Sequence, residues 1–295
     1  MITIKIGGSV VDDLHPSVVA DIKKVIEQEE VILVHGGGKE VTKVTEQLGK
    51  EPRFVVSPGG VKSRYTDLET AEIFTMVMSG RINKTIVKML QKNGINAVGL
   101  SGIDGKIIQA DRKKKLIIMN EKGRKQVIDG GYTGKITQIN ASLIKSILEQ
   151  GYTPVISPIA ISEESDFLNV DGDRAAANIA GQVKTDKVLF LTNVDGLLID
   201  EKLVDTLTLA KAKEILPQIG FGMEKKILAA TEALEMGVTE AIIANGQRES
   251  RFTFVLDDPF VSCRSGAGNI CSVDVPQTLQ PGFYIGISGS AFGDC

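Results

Sequence analysis

The stretch 31–39, VILVHGGGK, decides the fold. Four apolar residues run into His35 and three consecutive glycines, and from Glu40 the spacing of apolar residues becomes helical. A short apolar run bounded by glycine reads as a buried strand. Glycines at its carboxyl end leave backbone N–H groups uncovered beside the start of the next helix, where an open α/β sheet holds an anion. Residues 2–9, ITIKIGGS, show the same strand–glycine pattern, so two adjacent anion-binding turns are predicted at one edge of the sheet.

Outward from this pair, strands alternate with helices. Strands are predicted at 2–6, 31–34, 53–56, 95–100, 153–159, 187–192 and 240–244. Helices are predicted at 16–29, 40–48, 140–150, 173–183, 208–215 and 222–236, and from a cap at Thr66 or Asp67 to about Gly80, then on to Lys92. The alternation predicts an α/β three-layer sandwich, its mostly parallel central sheet covered by helices on both faces. An N-terminal lobe at 1–165 and a C-terminal lobe at 166–250 are expected. Residues 251–295 differ in composition, since they contain neither Lys nor Glu and hold all three Cys. No closing strand is legible there, so that tail reads as disordered or out of frame, and the sheet as ending on an exposed edge.

Composition excludes several classes. The net charge of −3 gives no global basic character, so nucleic acid is not an expected partner. Three Cys without a CxxC pair argue against zinc and a disulfide framework, and no metal-ligating set is predicted. Met1 leads directly into strand residues, and no apolar run approaches the roughly 18 residues of a membrane span, so a soluble cytoplasmic protein is expected. One segment departs from the average. Residues 106–135 hold nine Lys and Arg against three acidic residues, a local +6. It reads either as a solvated hairpin face or as a docking surface for an acidic partner.

The chemistry-bearing residues are few. There is no GxxxxGK[ST] and no Ser/His/Asp or Cys/His set, and His35, ending a buried strand, reads as structural. Lys5 lies two residues before Gly7 and Gly8 on a buried parallel strand, costly unless its charge is used; a snorkelling Lys at a sheet edge is the alternative. Asn169 and Asp171 share one strand face ahead of Asp173, either as site residues or as an N-cap cluster. Lys226 stands in the first turns of a helix, where a Lys is ordinarily solvated.

KIGGS at 5–9, VHGGG at 34–38, GLSGIDG at 99–105, GYTGKI at 131–136, NVDGDRAA at 169–176, LTNVDGLL at 191–198 and GMEKK at 222–226 occur in order. Together they resemble the amino-acid kinase family, in its N-acetylglutamate kinase branch, over about residues 1–250. Where acetylglutamate kinases have a short GLRxTD loop, this chain has PGGVKSRYTD at 58–67. That loop is similar to the kinases of the amino-group carrier (LysW-dependent) branch of lysine and arginine biosynthesis. Their substrate is α-aminoadipate or glutamate joined through its amino group to a small acidic carrier protein, beside which the +6 segment makes sense.

The resemblance implies roles. Lys5 and Lys226 would flank the transferring phosphoryl group, and Asp173 would orient both. Gly7, Gly8 and Ser9 would bind nucleotide phosphates, with Thr192, Asn193, Asp195 and Gly196 bordering ATP and Mg²⁺ riding on its phosphates. Gly37 and Gly38 would donate N–H bonds to the acyl substrate, Arg64 would grip its α-carboxylate, and Asn169 would bond its amide region. Asp171 stands where acetylglutamate kinases more usually have Asn. The nucleophile would be a carboxylate already ionised at neutral pH, so no general base is needed. A homodimer across the N-terminal lobe is expected. The alternatives are a plain N-acetylglutamate kinase and a non-catalytic nucleotide-binding regulator.

Overall fold

The computed structural model describes residues 1–12, 16–194, 197–199, 202–204, 206–220, 222–246 and 284–288. An eight-stranded sheet forms its centre, in the order Thr206–Thr208, Tyr284–Ser288, Glu240–Asn245, Lys187–Thr192, Ile2–Ile6, Val31–His35, Thr153–Ser157, Ala97–Ser101. Neighbours are parallel except Glu240–Asn245 with Tyr284–Ser288. The chain is therefore the α/β sandwich expected from its alternating pattern, and most predicted elements lie within a few residues of their expected bounds.

Side-chain alternation along Ile2–Ile6 sorts the two cores. Ile2, Ile4 and Ile6 join Leu33, Leu189 and Ile242 under the helices Pro16–Ile26 and Asn83–Lys92. Thr3 and Lys5 point to the other face, level with Ile32, Val34, Val188 and Phe190. That face is covered by the helices Gly172–Val183 and Met223–Glu235. Ala175, Ala176, Ala177 and Ala180 are fully buried in the first of these. Their small side chains let the helix axis approach the strands, and with it the first-turn residue Asp173.

Two segments differ from expectation. The helix predicted to reach Gly80 runs as Leu68–Thr75, widens into a π-helix at Met76–Ile82 and continues as Asn83–Lys92. The open edge expected after residue 250 is corrected by Tyr284–Ser288, which lies between Thr206–Thr208 and Glu240–Asn245 and buries Ile285 and Ile287. Its five residues include a glycine and sit in a stretch without Lys or Glu, and both partner strands are distant in sequence, so no local pattern marks it. Among the described residues no helix is long and apolar enough to cross a membrane.

Glu240, at the start of its strand, is buried with Lys187 3.6 Å away. Burial raises its pKa to about 7, against the opposing pull of Lys187. A pKa raised by folding contributes stability that is present at low pH and lost as pH rises through the folded value. Glu240→Gln should therefore leave Tm near wild type at about pH 4.5 and raise it at pH 8.5, by up to about 3 kcal/mol of stability. Thermal melts at the two pH values check this; equal effects at both would remove the ionisation argument.

Candidate active site

The site gathers at the carboxyl ends of the central strands. Gly7 N donates to Leu191 O at 2.9 Å and Gly36 N to Ile6 O at 2.8 Å, so the two glycine turns leave their strands in register. They then touch backbone to backbone. A Cβ on Gly8 would lie 2.9 Å from Gly37 N, and one on Gly36 2.7 Å from Gly8 N. Glycine is required by that close approach. Nothing lies within 4 Å of where a Cβ on Gly38 would be, so the start of the helix Gly38–Gln47 borders open space. Ser9 lies in the short helix Gly8–Asp12 that follows the first turn.

Lys5 and Lys226 meet on one carboxylate. Lys5 Nζ lies 2.6 Å from Asp173 Oδ1, and Lys226 Nζ 3.2 Å from Oδ2. Burial alone would raise the Asp173 pKa, but the two ammonium groups hold it well below the ordinary carboxylate range. Asp173 thus stays charged, and the cluster of two cations and one anion carries a net positive charge in a buried place. Lys5 is not a snorkelling edge residue: its strand is central and its side chain is 8% exposed. Lys226 reaches the cluster because Gly222, at φ +93°, turns the chain into the helix Met223–Glu235 and places Lys226 in an early turn.

Arg64 arrives from a hairpin. Phe54–Val56 pairs antiparallel with Lys62–Arg64, so the first part of the 58–67 motif is a turn and its return strand. Arg64 Nη2 donates to Gly38 O at 2.9 Å and to Thr42 Oγ1 at 2.6 Å. Its Nη1 is buried without a partner, and burial lowers its pKa. A buried guanidinium N–H without an acceptor is a place for an anion to bind. Asn169 Nδ2 donates to Thr66 Oγ1 at 3.0 Å, and Thr66 Oγ1 to Arg64 O, so Asn169 stands behind the Arg64 strand.

The remaining residues divide. Asp171 is the N-cap of Gly172–Val183 and accepts from Asp173 N at 3.0 Å and Arg174 N at 3.2 Å, the capping role considered from sequence. Thr192 is buried at its strand end beside Gly7, whereas Asn193 is exposed. Asp195 and Gly196 lie outside the described residues. His35 is structural, as expected: it is fully buried, with a pKa lowered to about 4 by burial and by nearby Lys5 and Lys84. Held neutral, it donates from Nδ1 to Gly36 O and accepts at Nε2 from Asn83.

Sequence reasoning missed Asn83, which also donates to Leu100 O and Val155 O and so ties the His35 strand end to two neighbouring strands. It missed Lys225, whose Nζ lies 3.3 Å from Lys62 O and 3.6 Å from Asp171 Oδ2, joining the Arg64 hairpin to the Lys226 helix. Neither has a local signal: an amide on a helix and one Lys beside another are ordinary surface patterns. Among the described residues no group of three His, Cys, Asp or Glu could hold a metal ion. Asp173 is committed to its lysines, so among the described residues it offers no ligand to a cation.

Two lysines, one buried and one partly buried, meet on one buried aspartate, and the family pattern of amino acid kinases matches residues 1–245. The chain belongs to the amino acid kinase family. It is 80% identical over 250 residues to a protein of Nitrosopumilus maritimus with the provisional name LysW-aminoadipate/LysW-glutamate kinase, covering 85% of this chain and 94% of that one. It is 44% identical over 258 residues to the LysW-aminoadipate/LysW-glutamate kinase of Saccharolobus islandicus, covering 87% and 97%. Among solved structures, carbamate kinase from Giardia lamblia bound to AMP-PNP matches with a TM-score of 0.61 at 14% identity, over 87% of this chain and 95% of that one. At that identity the likeness concerns the fold. This amino acid kinase is a phosphotransferase.

Proposed function

We propose that this kinase uses ATP to phosphorylate the side-chain carboxylate of α-aminoadipate or glutamate carried through its amino group on LysW, giving an acyl phosphate. The names of its relatives support that substrate over free N-acetylglutamate. The observation that carries the chemistry is the buried Lys5–Asp173–Lys226 cluster. Attack of a carboxylate on the γ-phosphorus brings two anions together, and the protein's task is to cancel their repulsion. Lys5 and Lys226, on the two oxygens of Asp173, are positioned to turn toward the equatorial phosphoryl oxygens, while Asp173 holds them in place. No group need take a proton from the nucleophile, in keeping with a neutral, fully hydrogen-bonded His35.

The remaining roles follow the same line. Gly7, Gly8 and Ser9 receive the phosphates, with Thr192, Asn193, Asp195 and Gly196 beside the nucleotide. Gly37 and Gly38 serve the acyl group, and Asn169 its amide region. Mg²⁺ belongs with the nucleotide phosphates. Residues 1–165 take the acyl substrate and carrier, residues 166–250 the nucleotide. For the acidic carrier we assign the hairpin Lys115–Met119 with Lys125–Asp129, where exposed Ile117 and Val127 pair between the Lys115–Asp129 and Met119–Lys125 pairs. An apolar centre with a cationic rim suits a small acidic protein. A homodimer across the N-terminal lobe is our assignment for the assembly, and sedimentation checks it.

Arg64→Ala should raise the KM for the acyl substrate roughly 10–100-fold, the worth of a charged hydrogen bond, and leave the KM for ATP unchanged, because the carboxylate it grips is not the reacting one. Steady-state kinetics with each substrate varied separately decide it; a change confined to ATP would displace Arg64 from this role. The function itself is tested by phosphorylation assays on carrier-linked glutamate, carrier-linked aminoadipate and free N-acetylglutamate. Turnover of a linked substrate is expected. Turnover of N-acetylglutamate alone would make it an acetylglutamate kinase, and ATP binding without turnover of any of them would make it a regulator.

A further inference from the structure

The second glycine turn is gripped from behind. His35 closes its strand with the ring fully buried, and Nδ1 lies 3.0 Å from Gly36 O. A carbonyl oxygen can only accept, so Nδ1 carries the proton and donates. Nε2 is then a bare acceptor, and Asn83 Nδ2 stands 3.2 Å from it. The same Nδ2 donates to Leu100 O at 3.2 Å and to Val155 O at 2.9 Å, which fixes it as the amide nitrogen. Lys84 Nζ holds the other end of the amide, 3.2 Å from Asn83 Oδ1, and itself donates to Gly99 O at 2.7 Å. Gly99 makes room for both: a Cβ there would fall on Asn83 Oδ1 and 2.8 Å from Lys84 Nζ.

Backbone geometry carries this grip to the site. The Gly36–Gly37 peptide is trans, so its C=O and N–H point in opposite directions. Holding Gly36 O against the His35 ring turns the Gly37 N–H to the side away from it. Gly37 N sits against the first glycine turn, where a Cβ on Gly8 would lie 2.9 Å from it, and among the described residues no backbone carbonyl accepts from it. Glycine on both sides leaves this peptide free to rotate. Rotated by half a turn, it would present a carbonyl oxygen where an anion is to bind. The helical segment that supplies Asn83 is fixed to the same turn. The π-helix Met76–Ile82 leads directly into Asn83, and a Cβ on Gly37 would meet the Ile82 and Met78 side chains. A widened helical turn of this kind is frequent at functional sites.

We infer that His35 and Asn83 are positioning residues for phosphoryl transfer: Asn83 sets the His35 ring with Nδ1 as donor, and the ring locks the Gly36–Gly37 peptide with its N–H toward the acyl substrate. The inference rests on the reading above that Gly37 serves the acyl group, and it adds how that N–H is kept available. Neither side chain touches the substrate. Burial, with Lys5 and Lys84 nearby, keeps the ring neutral, so Nε2 stays bare.

Two measurements test it. The first needs no substrate. His15 and His35 are the only histidines, so long-range proton–nitrogen spectra of the full-length protein, labelled at histidine, resolve the two rings, and His35→Asn assigns them. At about neutral pH, His35 should show a protonated Nδ1 and a bare Nε2. In Asn83→Ala that preference should weaken to a mixture of the two ring forms. A wild-type His35 protonated at Nε2 would overturn the proposal, and a ring unchanged in Asn83→Ala would remove Asn83 from it. The second measurement compares two amides at position 35. An Asn nitrogen can take the place of Nδ1 and still donate to Gly36 O, whereas a Gln amide reaches the place of Nε2 and keeps only the contact with Asn83. His35→Gln should raise the KM for the acyl substrate about tenfold, the worth of one hydrogen bond to a charged group, with the KM for ATP unchanged, and His35→Asn should stay within about threefold of wild type. Equal losses in the two variants, or near-normal kinetics in His35→Gln, would make His35 a packing residue only. The wild-type spectrum decides the ring's role even where a substitution at this buried position does not fold. A wild type that turns over no acyl substrate would count against the kinase reading and leave the ring measurement standing.

Discussion

Alanine at Lys226 is expected to lower kcat by roughly 10²–10³, the usual cost of removing one preorganised donor to developing charge. The side chain is 14% exposed and shares Asp173 with Lys5, which remains at 2.6 Å from the other oxygen. The buried carboxylate therefore keeps a counter-charge, and the fold should survive. With the acyl substrate's ground-state contacts assigned to Arg64 and the second glycine turn in the proposed reading, its KM should change little while kcat and kcat/KM fall together. Lys5→Ala should give a comparable loss from the opposite side of the phosphoryl group. Purified variants with near-normal turnover at saturating ATP would remove the two lysines from the transition state.

The second large effect is on stability. Asp173→Asn keeps the shape of the side chain and removes the charge that Lys5 and Lys226 share. Lys5 sits on a central strand with its side chain 8% exposed, so it cannot reach water without disturbing the sheet. Removing one partner from a buried ion pair costs about 3–5 kcal/mol, because the remaining charge is left uncompensated. The same variant should lose activity, because both lysines lose the group that orients them. The pH dependence has a definite sign. Folding lowers the Asp173 pKa from its ordinary 3.8, so its contribution is complete above about that pH and is lost as pH falls through the folded value. Denaturant melts at pH 7 should show the full deficit, and it should shrink in strong acid. A variant as stable as wild type at pH 7 would mean that the two lysines find other partners.

Much of this site is legible in the chain itself. Gly7 and Gly8 are readable because close backbone contact has one sequence solution, and the structure puts backbone atoms where their Cβ atoms would be; a Cβ on Gly37 would meet the Ile82 and Met78 side chains, and Gly38 borders open space. Lys5 is readable because a charge in the middle of an apolar strand needs a reason. Lys226 is not readable from its own surroundings and enters through the ordered motifs of the family. Asp171 is caught between two roles, and the structure shows the capping one. Asn83 and Lys225 are invisible, since what distinguishes them is the strand or hairpin they touch across the fold.

The sequence by itself determined the alternation of strands and helices, the two glycine turns at adjacent strand ends and the family, because each of these is written in local spacing or in ordered motifs. Tertiary structure decided the rest. It brought Asp173 between two lysines that precede and follow it, because the alanine-rich helix packs close over the face to which Lys5 points. It placed Tyr284–Ser288 inside the sheet rather than beyond its end, because strand pairing there is made with segments far away in the chain. It also brought Asn83 onto the ring of His35, a contact across 48 residues of chain that no single stretch of sequence records.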